Sequence, residues 1–205
     1  MSAPLFGSDI IFYQRLLKSS GYYSGPVNGV WGSAMSTADD RFQADAARLK
    51  QQIGAFDART EGHIATLHIK AQKVARKFMA KASSGPLTCK IISGTRSYAE
   101  QDALYKKGRW GNPGSKVTNA RGGQSNHNFC IAWDIGLFDA SGKYLTGATK
   151  AEQRAYEGIA ALAADPDLEW GGNWSSFKDR PHYQARTGKT TSQVRGLFEA
   201  GRSYL

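Results

Sequence analysis

Cysteine is scarce in this chain, which has only Cys89 and Cys130. No Cys-x-x-Cys pair occurs, so a thiolate zinc site is excluded. Two cysteines make no disulfide framework, and free thiols are expected. No run approaches the roughly 20 apolar residues of a membrane span. The opening stretch from Met1 to Asp9 has neither a basic leader region nor an apolar one, so no signal peptide is expected. The expectation is a soluble protein made in the cytoplasm. Acidic residues are few, 17 against 27 Lys and Arg, for a net charge of +10. That balance favours an anionic partner: nucleic acid, a membrane surface or an acidic polymer. The basic residues are scattered rather than striped and no nucleic-acid motif is present, so no nucleic-acid partner is expected. There is no internal repeat and no low-complexity segment.

What is present is a globular composition, 40% hydrophobic and 21% charged, long enough at 205 residues for one main domain plus a small one. Residues 8–20 place Ile10, Tyr13 and Leu17 on one helical face, and Gly21 stops the helix. A turn-rich loop with apolar anchors follows to Gly32. A second helix starts near Ser33 with Met35, Ala38 and Phe42 inward. The polar, Ala-rich residues 43–59 either extend it or form a linker, and a boundary is expected near residue 50. From Thr60, the spacing of Ile64, Leu67, His68, Ala71, Val74, Ala75 and Phe78 predicts one long buried helix to about Ala82. Leu87 to Ser93, Cys130 to Phe138 and Leu168 to Trp170 read as strands. Capping patterns at Ser97, Thr149 and Thr190 open three further helices. Residues 109–124 form a loop of a length that is usually functional. The fold class is α+β, with a helical domain at 1–50 and a domain at 51–205 in which a few strands pack against helices.

Three residues carry the chemistry. His127 and Asp134 are seven residues apart (134 − 127) in a β-rich run, and His182 follows Pro181 later in the chain. Two imidazoles and one carboxylate leave a fourth tetrahedral position for water, as a catalytic zinc needs. Glu169, upstream of the third residue, is placed to be a general base. Arg96, at a strand-to-helix turn, suits an oxyanion or a substrate carboxylate. A lone histidine is more often a core or surface residue, and His63 and His68, on the long helix, are read as structural. A surface salt bridge is the bland reading of Arg96, and a solvated loop acid that of Glu169. The order in which the residues occur together outweighs these readings.

The runs Ile92-Ser93-Gly94-Thr95-Arg96-Ser97 with Gln101, Ser125-Asn126-His127-Asn128-Phe129-Cys130-Ile131-Ala132-Trp133-Asp134, Glu169-Trp170-Gly171-Gly172, and Pro181-His182-Tyr183 follow one another in order. Together they resemble the zinc D-Ala-D-Ala carboxypeptidase and L-alanyl-D-glutamate endopeptidase family, which shares its fold with the hedgehog signalling domain. Residues 118–128 and 169–174 lean toward the L-alanyl-D-glutamate branch found in phage endolysins. One departure is Cys130, where the family has glycine. A thiol there either packs as a buried structural group, competes for metal or oxidises. Residues 8–45 resemble the helical peptidoglycan-binding domain of wall hydrolases, through Tyr13-Gln14-Arg15-Leu16-Leu17, the loop 21–32 and Arg41-Phe42-Gln43.

The resemblance implies a small antiparallel sheet flanked by helices. It implies a zinc ion held by His127, Asp134 and His182, Glu169 and Arg96 as catalytic residues, and Ser125, Gln101 and Trp170 at the substrate. The expected activity is cleavage of the L-Ala–D-Glu bond of peptidoglycan stem peptides, by a phage or prophage endolysin that reaches the wall after release from the cytoplasm. The alternatives are a D,D-carboxypeptidase or dipeptidase on D-Ala-terminated peptides, and a non-catalytic wall-binding protein. The expected partners are bacterial peptidoglycan and an anionic envelope surface, and the expected state is a monomer.

Overall fold

A computed structural model describes residues 7–205; the first six, and with them most of the stretch read for a leader, lie outside it. Among the described residues there are helices α1 (Gly7–Ser19), α2 (Ser33–Ile53), α3 (Ala58–Ala65), α4 (Ile69–Ala82), α5 (Tyr98–Lys106), α6 (Lys150–Leu162) and α7 (Thr191–Glu199). The strands are β1 (Thr88–Ser93), β2 (Ala132–Phe138), β3 (Tyr144–Leu145), β4 (Leu168–Trp170) and β5 (His182–Ala185). This is the expected α+β fold. The polar segment after residue 43 extends α2, which ends before Gly54.

The chain divides into two compact units. One holds residues up to 47 together with 96–129 and 187–205; the other holds 48–95 and 130–186. The N-terminal helices share their unit with two later segments.

In the first unit, Met35, Ala38 and Phe42 of α2 are buried with Leu16 and Leu17 of α1. Phe12 of α1 meets Phe198 of α7 at 5.2 Å, and Phe198 meets Phe129 at 5.7 Å. The buried Gln14 side chain accepts from the N–H groups of Asn28 and Gly29 and donates to the Val30 carbonyl. It thereby pins the loop after α1. Capping boxes at Ser97 and Thr190 open α5 and α7 as the sequence predicts.

The second unit is built on an antiparallel sheet of order β1-β2-β5-β4, with β3 paired to β2. Strand side chains alternate between faces, so register assigns each residue to a side. Trp133 pairs with Tyr183, which pairs with Trp170. These three share a face with Ile91, Ile135 and Leu137, and Phe78 of α4 packs on Tyr183 at 4.4 Å. That face is the core, and Trp133, Tyr183 and Phe78 are all but fully buried. Burying each such side chain contributes about 1.5–3 kcal/mol.

The single long helix expected from Thr60 to Ala82 is two. His68 turns its backbone N–H away from the helix to the Cys130 carbonyl at 2.8 Å, and its Nδ1 accepts from the Lys70 N–H as the cap of α4. Glu61 of α3 clamps Arg76 of α4 with two bonds of 2.9 Å across the break. At Thr149 only half of the expected capping box forms. Thr149 accepts from the Glu152 N–H, while the Glu152 carboxylate goes to Thr146 and to the Ala148 N–H.

Candidate metal centre

The sheet face opposite the core holds the polar residues. Asp134 of β2 is the register partner of His182 on β5, and Gln184, two residues on, partners Ala132 on one side and Glu169 of β4 on the other. Asp134, His182, Gln184 and Glu169 therefore project from one face. Asp134 Oδ1 lies 3.4 Å from His182 Nδ1, and His182 Nε2 lies 3.1 Å from Gln184 Oε1. Burial alone would pull the His182 imidazole below its usual pKa. Hydrogen bonding and charge from Asp134, with smaller help from Gln184 and Asp179, outweigh it and raise the pKa.

The backbone around His182 is tightly set. The Pro181 carbonyl accepts from the Ile135 N–H at 2.9 Å, anchoring the strand entry. Gly171 packs so closely that a Cβ would lie 2.6 Å from the Asp179 carbonyl oxygen and 3.1 Å from the His182 Cβ. Only glycine allows that approach.

His127 sits in the 3-10 turn Asn126–Phe129 and is buried. Its carbonyl accepts from the Arg96 N–H at 3.1 Å, and the Asn128 side chain donates to the Arg96 carbonyl at 2.9 Å. The upstream arginine segment and the His127 turn are thus one hydrogen-bonded piece. Arg96 Nη1 donates to Gln101 Oε1 at 3.0 Å, and the buried Gln101 donates on to Thr118 and to the Ala120 carbonyl. The Ser125 carbonyl accepts from the Asn128 N–H and closes the turn.

Ligand atoms of His127, Asp134 and His182 all lie within 4.8 Å of one another, a group that could hold a metal ion. The donors are two buried imidazoles and a half-buried carboxylate. This nitrogen and oxygen set suits a borderline-soft divalent ion and leaves a coordination position open. Cys130 does not join the group. Burial pushes its thiol up to about 12, with a small opposing effect from Thr95, so it stays protonated and packs as a structural group. Its backbone has φ of +59°, a left-handed conformation that glycine adopts freely.

Glu169 Oε1 accepts from the Trp174 indole N–H at 3.1 Å. Trp170 is turned to the core face, stacked on Tyr183 at 6.4 Å, with its indole N–H on the Arg180 carbonyl. A cavity of about 650 Å³ opens beside Glu169, bordered by Glu157 and Ala161 of α6, by Leu168, Trp170 and Trp174, and by Arg186. Sequence reasoning passed over Trp174 and Gln184. For Gln184 a signal was present: in His182-x-Gln184 on a strand, the two residues fall on one face.

The D-alanyl-D-alanine carboxypeptidase family of M15 peptidases matches residues 118–185. The chain is 36% identical over 123 residues to the peptidoglycan L-alanyl-D-glutamate endopeptidase CwlK of Bacillus subtilis (strain 168), covering 58% of this chain and 72% of that protein. Among solved structures it is similar to the Serratia marcescens L-Ala D-Glu endopeptidase ChiX, with TM-score 0.42 and 22% identity over 67% of this chain and 94% of that one.

Proposed function

The chain belongs to the M15 peptidase family, and from that premise we propose that it is a peptidoglycan hydrolase, a zinc endopeptidase that cuts the L-Ala–D-Glu bond of stem peptides. The observation that carries this reading is the shared sheet face, on which Asp134 and His182 stand opposite each other with Glu169 one strand away.

His127, Asp134 and His182 would hold the zinc. A zinc ion there would supply Lewis acidity toward the scissile carbonyl and would lower the pKa of bound water to about 7. Glu169 takes the proton of the attacking water as the new C–O bond forms, then passes it to the leaving amine of D-Glu as the carbonyl re-forms and the C–N bond breaks. The Trp174 indole steadies the Glu169 carboxylate. Arg96, held in place by Gln101, offers its guanidinium to developing negative charge or to a substrate carboxylate. Ser125 and Trp170 belong to the substrate region, Trp170 as part of the cavity wall.

Residues 1–50 bind the wall through the aromatic loop that Gln14 pins, and Trp31→Ala should lower co-sedimentation with purified peptidoglycan. No acidic residue occurs between Asp102 and Asp134, while Lys106, Lys107, Arg109, Lys116 and Arg121 do. This stretch draws the protein to an anionic envelope, with a salt dependence that screening predicts.

Mass spectrometry of peptidoglycan digested with and without a chelator tests the reading. Chelator-sensitive stem peptides with a new N-terminal D-Glu are expected. Chelator-sensitive loss of terminal D-Ala would move the enzyme to the carboxypeptidase activity for which its family is named. Absence of cleavage by zinc-loaded protein would overturn the enzymatic reading.

A further inference from the structure

We propose that Gln184 is a positioning residue that commits His182 to offer Nδ1, and not Nε2, to the metal. The inference rests on the reading of His182 as a ligand. Three observations support it. Gln184 Oε1 lies 3.1 Å from His182 Nε2. Both residues are buried, 8% and 6% exposed, so water is a poor substitute partner for either. The opposite ring nitrogen, Nδ1, is the one that faces Asp134, at 3.4 Å.

A neutral imidazole carries one N–H and one lone pair. A carboxamide oxygen at Nε2 accepts the N–H there and leaves the lone pair on Nδ1. In the neutral ring that lone pair and the Asp134 carboxylate are two acceptors turned toward each other, an arrangement that a cation between them relieves, whether a proton on the metal-free ring or the metal that displaces it. The opposite orientation of the Gln184 amide would present its NH₂ to Nε2. The proton would then sit on Nδ1, bonded to Asp134, and the ring could not ligate from that side. The carboxamide thus selects between a ring that binds metal and one that pairs with the neighbouring acid. The strand supplies the geometry: residues two apart share a face, and the small Ala132 beside Gln184 leaves room for the amide to lie against the ring.

Two substitutions and one spectrum test this. Gln184→Leu keeps the volume and removes the acceptor; Gln184→Glu restores an acceptor. Zinc affinity is measured by competition with a chromophoric chelator, and folding is checked by thermal unfolding. Gln184→Leu should bind zinc about 10–100-fold more weakly, the usual effect of losing a hydrogen-bond partner of a ligating histidine. Gln184→Glu should stay close to the parent. In the unaltered zinc-loaded protein, long-range ¹H–¹⁵N spectra should show His182 Nε2 protonated and Nδ1 as the metal-bound nitrogen, a readout that survives even if a variant fails to fold. Parent-like zinc affinity in folded Gln184→Leu, or a metal-bound Nε2, would overturn the proposal. His182→Ala separates the two levels. If it abolishes zinc binding while Gln184→Leu does not, only the positioning role fails; if it leaves zinc affinity intact, the metal centre itself has been misread.

Discussion

Asp134 and His182 are register partners on β2 and β5, with Oδ1 and Nδ1 3.4 Å apart on the polar face of the sheet. Two rigid strands therefore fix their separation before any ligand arrives, and a metal bound between them should stabilise the fold as well as serve the chemistry. Zinc at 100 times its Kd should add about 2.7 kcal/mol to the unfolding free energy of the parent. Asp134→Asn and His182→Ala should lose that zinc-dependent rise in Tm together with hydrolysis. Thermal melts with and without zinc, beside metal content by mass spectrometry, check this. A variant that loses hydrolysis yet keeps the full zinc-dependent rise would remove that residue from the ligand set.

Glu169 should behave differently from the ligands. It stands on the same face but one strand away, opposite Gln184, and its carboxylate is already engaged by Trp174. Glu169→Ala should keep zinc affinity near that of the parent while lowering kcat about 10²–10⁴-fold, the usual contribution of a general base. Zinc titration beside turnover of a soluble stem peptide separates the two effects. Equal loss of zinc would make Glu169 a ligand instead of a base.

Much of this site was legible in the sequence because strand periodicity is local. Once Cys130 to Phe138 reads as a strand, Trp133 and Asp134 must point to opposite faces, and the same alternation puts His182 with Gln184. What could not be read depended on partners far along the chain. The helix break at His68 exists because its N–H finds the Cys130 carbonyl, and apolar spacing carries no trace of that bond. The grouping of α1 with α7 rests on Phe12 meeting Phe198, a contact that only the folded chain makes. The packing of the Trp170 ring on Tyr183 is likewise a contact between strands that the sequence does not show.

Glu61 predicts the acid limb of the stability profile. Burial would raise its pKa, but the hydrogen bonds from Arg76 and the Phe56 N–H, with the charges of Arg76 and Lys50, hold it below the usual carboxylate range. A depressed folded-state pKa contributes stability that is fully present above the unfolded value, about 4.3, and is lost as pH falls through the folded value. The parent should therefore lose stability as pH drops below about 4.3. Glu61→Gln should be less stable at pH 7, on the order of 3 kcal/mol, because Arg76 is almost fully buried and would lack its counter-charge. Its decline in acid should be shallower than that of the parent. Urea unfolding from pH 3 to 7 makes the comparison, and parallel profiles would show that the clamp contributes nothing to the pH dependence.

Cys130 gives a prediction in which two costs oppose each other. Its φ of +59° is a conformation that costs a residue with a Cβ roughly 1–2 kcal/mol relative to glycine. Its side chain is fully buried, so removing it sacrifices packing and leaves a small void. Cys130→Gly relieves the first cost and incurs the second, together with about 0.5–1 kcal/mol of extra unfolded-chain entropy, and should lie within about 1 kcal/mol of the parent. Cys130→Ala keeps the strained backbone and loses the sulfur, so it should be less stable than Cys130→Gly. Cys130→Val adds β-branching in a left-handed conformation and should be the worst of the three. Urea midpoints give the order, and a Cys130→Val protein as stable as Cys130→Gly would mean that the positive φ carries no strain. The same burial holds the Cys89 and Cys130 thiols up at about 12. Both should therefore resist a disulfide reagent in the native state and react together once urea unfolds the chain.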